Sequence, residues 1–384
     1  MKKFSEYATV VLFCGIILTL SVLFLILPDQ AFSQQENRTL ATAPSLNADS
    51  FFSGQFASDL NVYIADQFPF RNSFLRIRSF FELMLGKGEN NGVLYSYDQL
   101  AVKEFDAYKS RMEITEETDR IYLDTVKAQL EVLNRFSASL EIPMVTVLPG
   151  RTIDVCESAF AYERPDGDDV FEVMNALLTE NTGYIDTLPL LRNRYDGGEY
   201  VMYKTDHHWT TLGAYYVYCE IMKELGKEDR IVAPDRFEKE LIADFSGTTA
   251  AKGNFPVYAR DFLELWHLPD DGEYTVTVDG ELLDGFYERS YLDVADKYSV
   301  FLDGTHNVTE IRKPGEERET LLIAKDSFAN CLIPFLAREY DIVALNLRTN
   351  TALSAAVETY SADALLIVYN VENIITSADL GNLK

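Results

Sequence analysis

Hydrophobic and polar positions change period several times along the chain, and each change predicts an element. From Tyr7 to Leu27 the chain reads YATVVLFCGIILTLSVLFLIL, without a charge. At about 1.5 Å rise per residue, such a helix covers about 30 Å, the hydrocarbon thickness of a bilayer. Residues 28–50 are polar and turn-rich, and predict a stalk. From Phe51 to Gly86 apolar positions recur at helical spacing, with a break predicted at Pro69 inside Asp66–Arg71. Asn90-Asn91-Gly92-Val93 predicts a tight turn feeding a strand.

Helical and extended signals then alternate. Residues 116–140 place Ile121, Val126, Leu130, Leu133 and Phe136 on one helical face, ahead of the apolar run Met144–Leu148. Residues 169–180 and 211–225 predict helices, with a short strand at Tyr184–Asp186. Further on come a strand at Thr320–Ala324, a helix at about 327–338, and strands at Ile342–Leu345 and Ala364–Tyr369. Apolar strands between amphipathic helices predict an α/β fold with a mostly parallel sheet covered on both faces. Residues 228–319 have another texture, rich in Gly, Asp and Tyr. Alternation at Tyr274–Val278 ends there in the hairpin signal Asp279-Gly280, so this stretch predicts a β-rich insertion. The expected organisation is a cytoplasmic end and anchor over residues 1–30, a stalk over 31–50, and one extracytoplasmic domain over 51–384.

Composition narrows the function. The 384 residues include 34 Lys+Arg against 61 Asp+Glu, a net charge of −27. That balance argues against nucleic acid as a partner, because phosphate neutralisation needs clustered cations. Lys2 and Lys3 precede the apolar run, which predicts a single-pass membrane protein with its N-terminus cytoplasmic. The alternative is a cleaved signal peptide, with Ala31-Phe32-Ser33 as its small-x-small site. Charges within residues 1–30 cancel, so the acidic excess sits on the external part. Cys156, Cys219 and Cys331 show no CxxC spacing; a disulfide among them stays open, and a thiol metal site is not expected.

Candidate chemistry gathers where scarce residues meet. The chain has four histidines, and His207 and His208 are adjacent, between Asp206 and Trp209. Thr210 or Thr211 suits the N-cap of the following helix, which puts Asp206–Trp209 on a loop. In an extended loop, Asp206 and His208 project to the same side. The carboxylate can then fix the imidazole tautomer and leave its other nitrogen as a base. The plain alternative is a capping loop with buried, satisfied imidazoles. Ser327, in Lys325-Asp326-Ser327-Phe328, follows a strand and opens a helix, where a nucleophilic hydroxyl lies near free helical amides. Asp and Ser at such a junction are also preferred N-caps. No GxSxG elbow occurs, which disfavours an ordinary α/β-hydrolase.

The segments TDHHWTTLGAYYVY (from Thr205), ENRTL (Glu36–Leu40), DQFPFR (Asp66–Arg71), NGVLYSYDQL (Asn91–Leu100) and KDSFANCLIPFL (Lys325–Leu336) resemble the DHHW protein family. That family is similar to the alginate O-acetyltransferase, SGNH-hydrolase-like proteins. The resemblance implies a flavodoxin-like α/β/α sandwich and a Ser–His–Asp triad acting on O-acyl esters. Residue by residue it implies Ser327 as nucleophile, His208 as base and Asp206 as its orienter. Trp209, Lys325 and Arg348 are expected as substrate contacts. Two departures stand out: Lys325 replaces the usual Gly before Asp-Ser, and Asn346-Leu347-Arg348 stands where relatives carry Asp-Leu-Arg.

The leading expectation is a membrane-anchored O-acyltransferase or esterase acting on acetyl groups of cell-surface polysaccharide. It needs no cofactor and no metal, and a multispanning membrane protein would supply the acyl donor. Two other classes stay open. One is a metal-dependent hydrolase using Asp206, His207 and His208, with His306 or an acidic residue completing the set, although adjacent histidines point apart on a strand. The other is a non-catalytic polysaccharide-binding or assembly protein of the cell envelope, with its many aromatic residues stacking on sugars.

Overall fold

The structure, a computed structural model, describes every residue except 1, 34–37, 104–115, 161–167, 179–182 and 351. Part of the ENRTL segment and the Ile121 side chain lie outside the described residues. The chain forms two units, one of residues 1–87 with 254–256, the other of residues 88–253 with 257–384.

In the first unit a helix spans Lys2–Ile26 and carries the uncharged apolar stretch Tyr7–Ile26, long enough to cross a membrane. Helices Gln55–Asp66 and Arg71–Met84 follow. They are separated at Gln67–Phe70, because Pro69 lacks the amide proton a continuous helix needs. The turn-rich stretch before them bonds back to this break: the Ala41 N–H donates to Asp66 Oδ2 at 2.9 Å, and Gln67 Nε2 donates to the carbonyls of Gln30 and Ala41.

The second unit is built on an eight-stranded sheet. Its strands in chain order are β1 (Met144–Val147), β2 (Tyr184–Ile185), β3 (Thr275–Val278), β4 (Glu281–Leu283), β5 (Val308–Arg312), β6 (Thr320–Lys325), β7 (Asp341–Asn346) and β8 (Ala364–Val368). Across the sheet they lie in the order β4-β3-β5-β7-β6-β8-β1-β2. The five from β7 to β2 are parallel. The three at the other edge, β5, β3 and β4, are antiparallel. The sheet is therefore mixed rather than mostly parallel. The reason lies in residues 275–312, where period-2 alternation makes half-covered strands that join the central sheet instead of forming a separate insertion. The turn between β3 and β4 holds Asp279 and Gly280 at φ 48° and 88°, the left-handed pair the Asp-Gly signal requires.

Every residue of β1, β6 and β8 is buried, as expected of strands covered on both faces. The helix at Glu116–Ser139 buries Val126, Leu130, Leu133 and Phe136, the face its spacing predicts. After β6 the expected long helix is replaced by a 3₁₀ turn, Ser327–Ala329, and a four-residue helix, Ile333–Leu336. Pro334 in the first turn of that short helix has no amide to continue the turn before it. A second hairpin pairs Glu238–Phe245 with Asp261–His267, and the latter strand packs on the Thr211–Glu224 helix. All four cysteines are free thiols.

Candidate active site

Ser327 sits directly after β6, at the carboxyl end of the parallel strands, where open α/β sheets place ligands. The cap of its turn is Asp326, whose Oδ1 accepts from the Phe328 amide at 3.0 Å. Capping is thus served by the neighbour, and the Ser327 hydroxyl is left for another partner. The Phe328 amide, being engaged, is not one of the free helical amides expected beside the serine.

The other half of the site is the loop before the Thr211–Glu224 helix. Thr210 caps that helix, its Oγ1 accepting from the Gly213 amide at 3.1 Å. An isolated bridge between Met202 and Trp209, together with Tyr203 N–H donating to the His208 carbonyl, closes the loop on itself. Asp261 holds it from below. This buried carboxylate accepts from the Lys204 and Thr205 amides at 2.8 and 2.5 Å, from Tyr200 Oη at 2.5 Å, and from the Thr205 hydroxyl.

Within the loop, His208 Nδ1 lies 2.6 Å from Asp206 Oδ1, and its Nε2 lies 2.8 Å from Ser327 Oγ. The second oxygen of Asp206 accepts from the Thr248 amide at 2.8 Å and from the Thr248 hydroxyl at 2.9 Å. Burial alone would raise the Asp206 carboxyl, but His207, His208 and the Thr248 bonds outweigh it and hold the group well below the usual carboxylate range. An ionised carboxylate can only accept. His208 therefore carries its proton on Nδ1 and presents a lone pair to the serine.

The His208 ring is clamped. Tyr298 stacks on it at 3.8 Å with an interplanar angle of 8°, and His207 lies against it at 3.9 Å and 37°. The two histidines therefore do not point apart as they would on a strand, because this loop is bent rather than extended. Trp209 Nε1 donates to the Phe328 carbonyl at 3.0 Å, and Tyr298 Oη donates to the Ser327 carbonyl at 3.2 Å. These bonds fasten the serine turn to the histidine loop.

A cavity of about 330 Å³ opens beside Ser327, with Arg151, His207, Thr248, Arg348 and Asn373 among its lining residues. Arg348 Nη2 donates to Asn373 Oδ1 at 2.7 Å, and Asn373 Nδ2 donates to Asp326 Oδ2 at 2.7 Å. The guanidinium thus orients the amide that braces the serine turn, and Arg348 is among the residues of the cavity wall. Trp209 and Lys325 lie elsewhere. Trp209 is fully buried beneath the site, and Lys325 is buried with Nζ donating to Asn330 Oδ1 at 2.6 Å. Neither lines the cavity. The Trp209 N–H is satisfied by the Phe328 carbonyl, and Lys325 ends an interior strand.

Asp206, His207 and His208 each bring one potential ligand atom within 4.8 Å of the others. A cation there would take one nitrogen of His208, and each of the two already has a partner, Asp206 at Nδ1 and Ser327 at Nε2. His306, one of the two kinds of fourth ligand expected, instead bonds to Asp303 and Asp279.

Two contributors have no motif of their own. Thr248 completes the shell of Asp206, and Gly247 makes its approach possible: a Cβ at Gly247 would fall on the Asp206 side chain, 2.7 Å from Cγ. The only signal in sequence is the turn cluster Ser246-Gly247-Thr248-Thr249 inside the β-rich stretch.

The fold and the site together describe a mixed α/β protein carrying a linked Ser, His and Asp at the carboxyl edge of its parallel strands. The pattern of the DHHW protein family matches residues 169–345, so the resemblance carried by the Asp206–Trp209 motif is a family match over that region. A DHHW family protein of Eubacterium siraeum has a similar structure, with a TM-score of 0.60, 16% identity, and coverage of 77% of this chain and 95% of that one. Bacillus cereus PatB1, solved with a sulfonyl adduct, gives a TM-score of 0.59 at 17% identity over 76% of this chain and 98% of that one. The O-acetyltransferase domain of Pseudomonas putida AlgJ gives 0.44 at 14% identity, over 76% and 99%. No curated protein matches the chain.

Proposed function

We propose that this chain is a membrane-anchored, extracytoplasmic O-acyltransferase or esterase acting on acetyl groups of cell-surface polysaccharide, on a variant of the SGNH-hydrolase-like fold. The observation that carries the reading is the unbroken chain of bonds from Asp206 through His208 to Ser327. Ser327 Oγ attacks the acyl carbonyl while His208 Nε2 takes its proton, and Asp206 stabilises the imidazolium that forms. His208 returns the proton to the leaving oxygen, and an acyl group remains on Ser327. An acceptor hydroxyl, or water in the esterase case, then gives its proton to His208 and takes the acyl group. The polysaccharide, the outward topology and a multispanning membrane protein as acyl donor are supported by the family resemblance and the apolar N-terminal helix.

The test is hydrolysis of 4-nitrophenyl acetate by the purified full chain beside Ser327→Ala and His208→Ala. Loss of turnover in both variants is the expected result, and equal turnover in all three overturns the reading. Turnover that disappears with a chelator yet survives in Ser327→Ala supports the metal alternative. Retention on immobilised polymer without any ester cleavage supports the binding alternative.

A further inference from the structure

His207 is a second imidazole at the cavity, and the mechanism above leaves it idle. Its Nδ1 lies 2.8 Å from Thr248 Oγ1, which in turn lies 2.9 Å from Asp206 Oδ2. Asp206 can only accept, so the Thr248 hydroxyl gives its proton to the carboxylate and turns a lone pair to His207. Nδ1 of His207 must then carry the hydrogen, and Nε2 must carry a lone pair. The side chain is 46% exposed and lines the cavity with Ser327 and Phe328. Its ring centre is 3.9 Å from that of His208.

Acylation changes what the neighbouring imidazole sees. Once Ser327 is an ester it has no hydroxyl proton, and His208 Nε2 is open to an acceptor hydroxyl. The two adjacent rings then offer two acceptor nitrogens to one incoming molecule. Building on the acyl-transfer reading above, we propose that His207 Nε2 accepts a hydrogen bond from a second hydroxyl of the acceptor, beside the one acylated. The site thereby selects the vicinal diols of a sugar over isolated hydroxyls. In the transfer, the acceptor oxygen forms its bond to the acyl carbon as the carbon–Oγ bond of Ser327 breaks. The acceptor proton passes to His208 Nε2 and from there to Ser327 Oγ, while the second hydroxyl keeps its proton and is only oriented. His207 is a specificity residue for the acceptor; it takes no proton in the reaction.

The experiment uses the full chain with 4-nitrophenyl acetate as donor and an equimolar mixture of cis-cyclohexane-1,2-diol and cyclohexanol as acceptors. Both acetylated products arise from one acyl-enzyme, so their ratio is independent of how fast that enzyme forms. The wild type is expected to favour the diol well beyond the statistical factor of about two that its second hydroxyl provides. His207→Phe keeps a ring against His208 but removes the acceptor nitrogen, and should lower the preference about tenfold, the worth of one hydrogen bond. His207→Gln, whose amide oxygen reaches the Nε2 position, should restore part of it. An unchanged ratio in His207→Phe overturns the proposal, as does a wild-type ratio no higher than statistical. If the wild type forms no acetyl-Ser327 by mass spectrometry, the acyl-transfer reading itself fails and takes this inference with it.

Discussion

His208 Nε2 stands 2.8 Å from Ser327 Oγ, across 119 positions of sequence. Each partner is held from its own side: the imidazole lies between Tyr298 and His207, and the serine turn is capped by Asp326. A serine so placed should react with an electrophile that other surface serines ignore. A sulfonyl fluoride is expected to label the wild type once, at Ser327, and to leave Ser327→Ala unmodified. His208→Ala should label at least about a thousandfold more slowly, the usual cost of removing the base from such a unit. Peptide mass spectrometry reads both results, and modification spread over several serines would count against an activated nucleophile.

The Asp206 carboxylate has a separate prediction, because it holds a tautomer rather than accepting a proton. Asp206→Asn keeps the shape but cannot only accept, so the imidazole loses its fixed orientation and kcat should fall by about 10³–10⁴-fold. Thr248→Val removes the hydroxyl bond to the other oxygen and keeps the amide bond, so about tenfold is expected. Gly247→Ala forces a methyl group onto the carboxylate and should approach the Asp206→Asn value with far-ultraviolet circular dichroism unchanged. Steady-state kinetics on a small ester separates these cases. A Gly247→Ala enzyme with normal kcat would show that the loop can shift without cost.

Asp261 acts on the same loop through the backbone, and its loss should appear in stability. It is buried and accepts from two main-chain amides and two hydroxyls. Asp261→Ala leaves those donors without an acceptor in the interior, at a cost of about 2–4 kcal/mol. Urea unfolding followed by tryptophan fluorescence should show a lower midpoint with little change in slope. A shift below about 0.5 kcal/mol would mean that water replaces the carboxylate.

The parallel half of the sheet and the central pair of the site were legible because both are local patterns. Uninterrupted apolar runs such as Leu321–Ala324 mark doubly covered strands, and the cluster of scarce residues at Asp206–Trp209 marks the pair. A bent loop with the His208 amide on Asp206 Oδ1 joins that pair, and not the extended one that the spacing implies. Three things were not legible, each because it depends on contacts far apart in sequence. Strands β3 to β5 alternate as an edge sheet does, and nothing in that alternation says they extend the central one. Lys325 reads as a polar residue near a nucleophile, yet it closes an interior strand and faces Asn330. Thr248 reaches Asp206 across 42 positions, and a lone threonine in a turn carries no mark of that partner.

Lys325 also gives stability an uncommon dependence on pH. Burial lowers its ammonium pKa from 10.5 to about 8, with Asp326 opposing the shift. Below pH 8 both folded and unfolded chains hold the proton, and folding carries the full penalty of a buried cation. Between pH 8 and 10.5 the folded chain has released that proton while the unfolded chain still binds it. The unfolded state then holds more protons, so the contribution of Lys325 to stability rises with pH, by at most about 1.4 kcal/mol per unit. Lys325→Met removes this term. From pH 8 to about pH 9.5 the wild type should therefore gain about 2 kcal/mol relative to the variant. Comparing the two at each pH cancels the titration of the tyrosines. Urea midpoints across that range measure the difference, and a constant gap between the curves would show that Lys325 keeps its ordinary affinity for the proton in the fold.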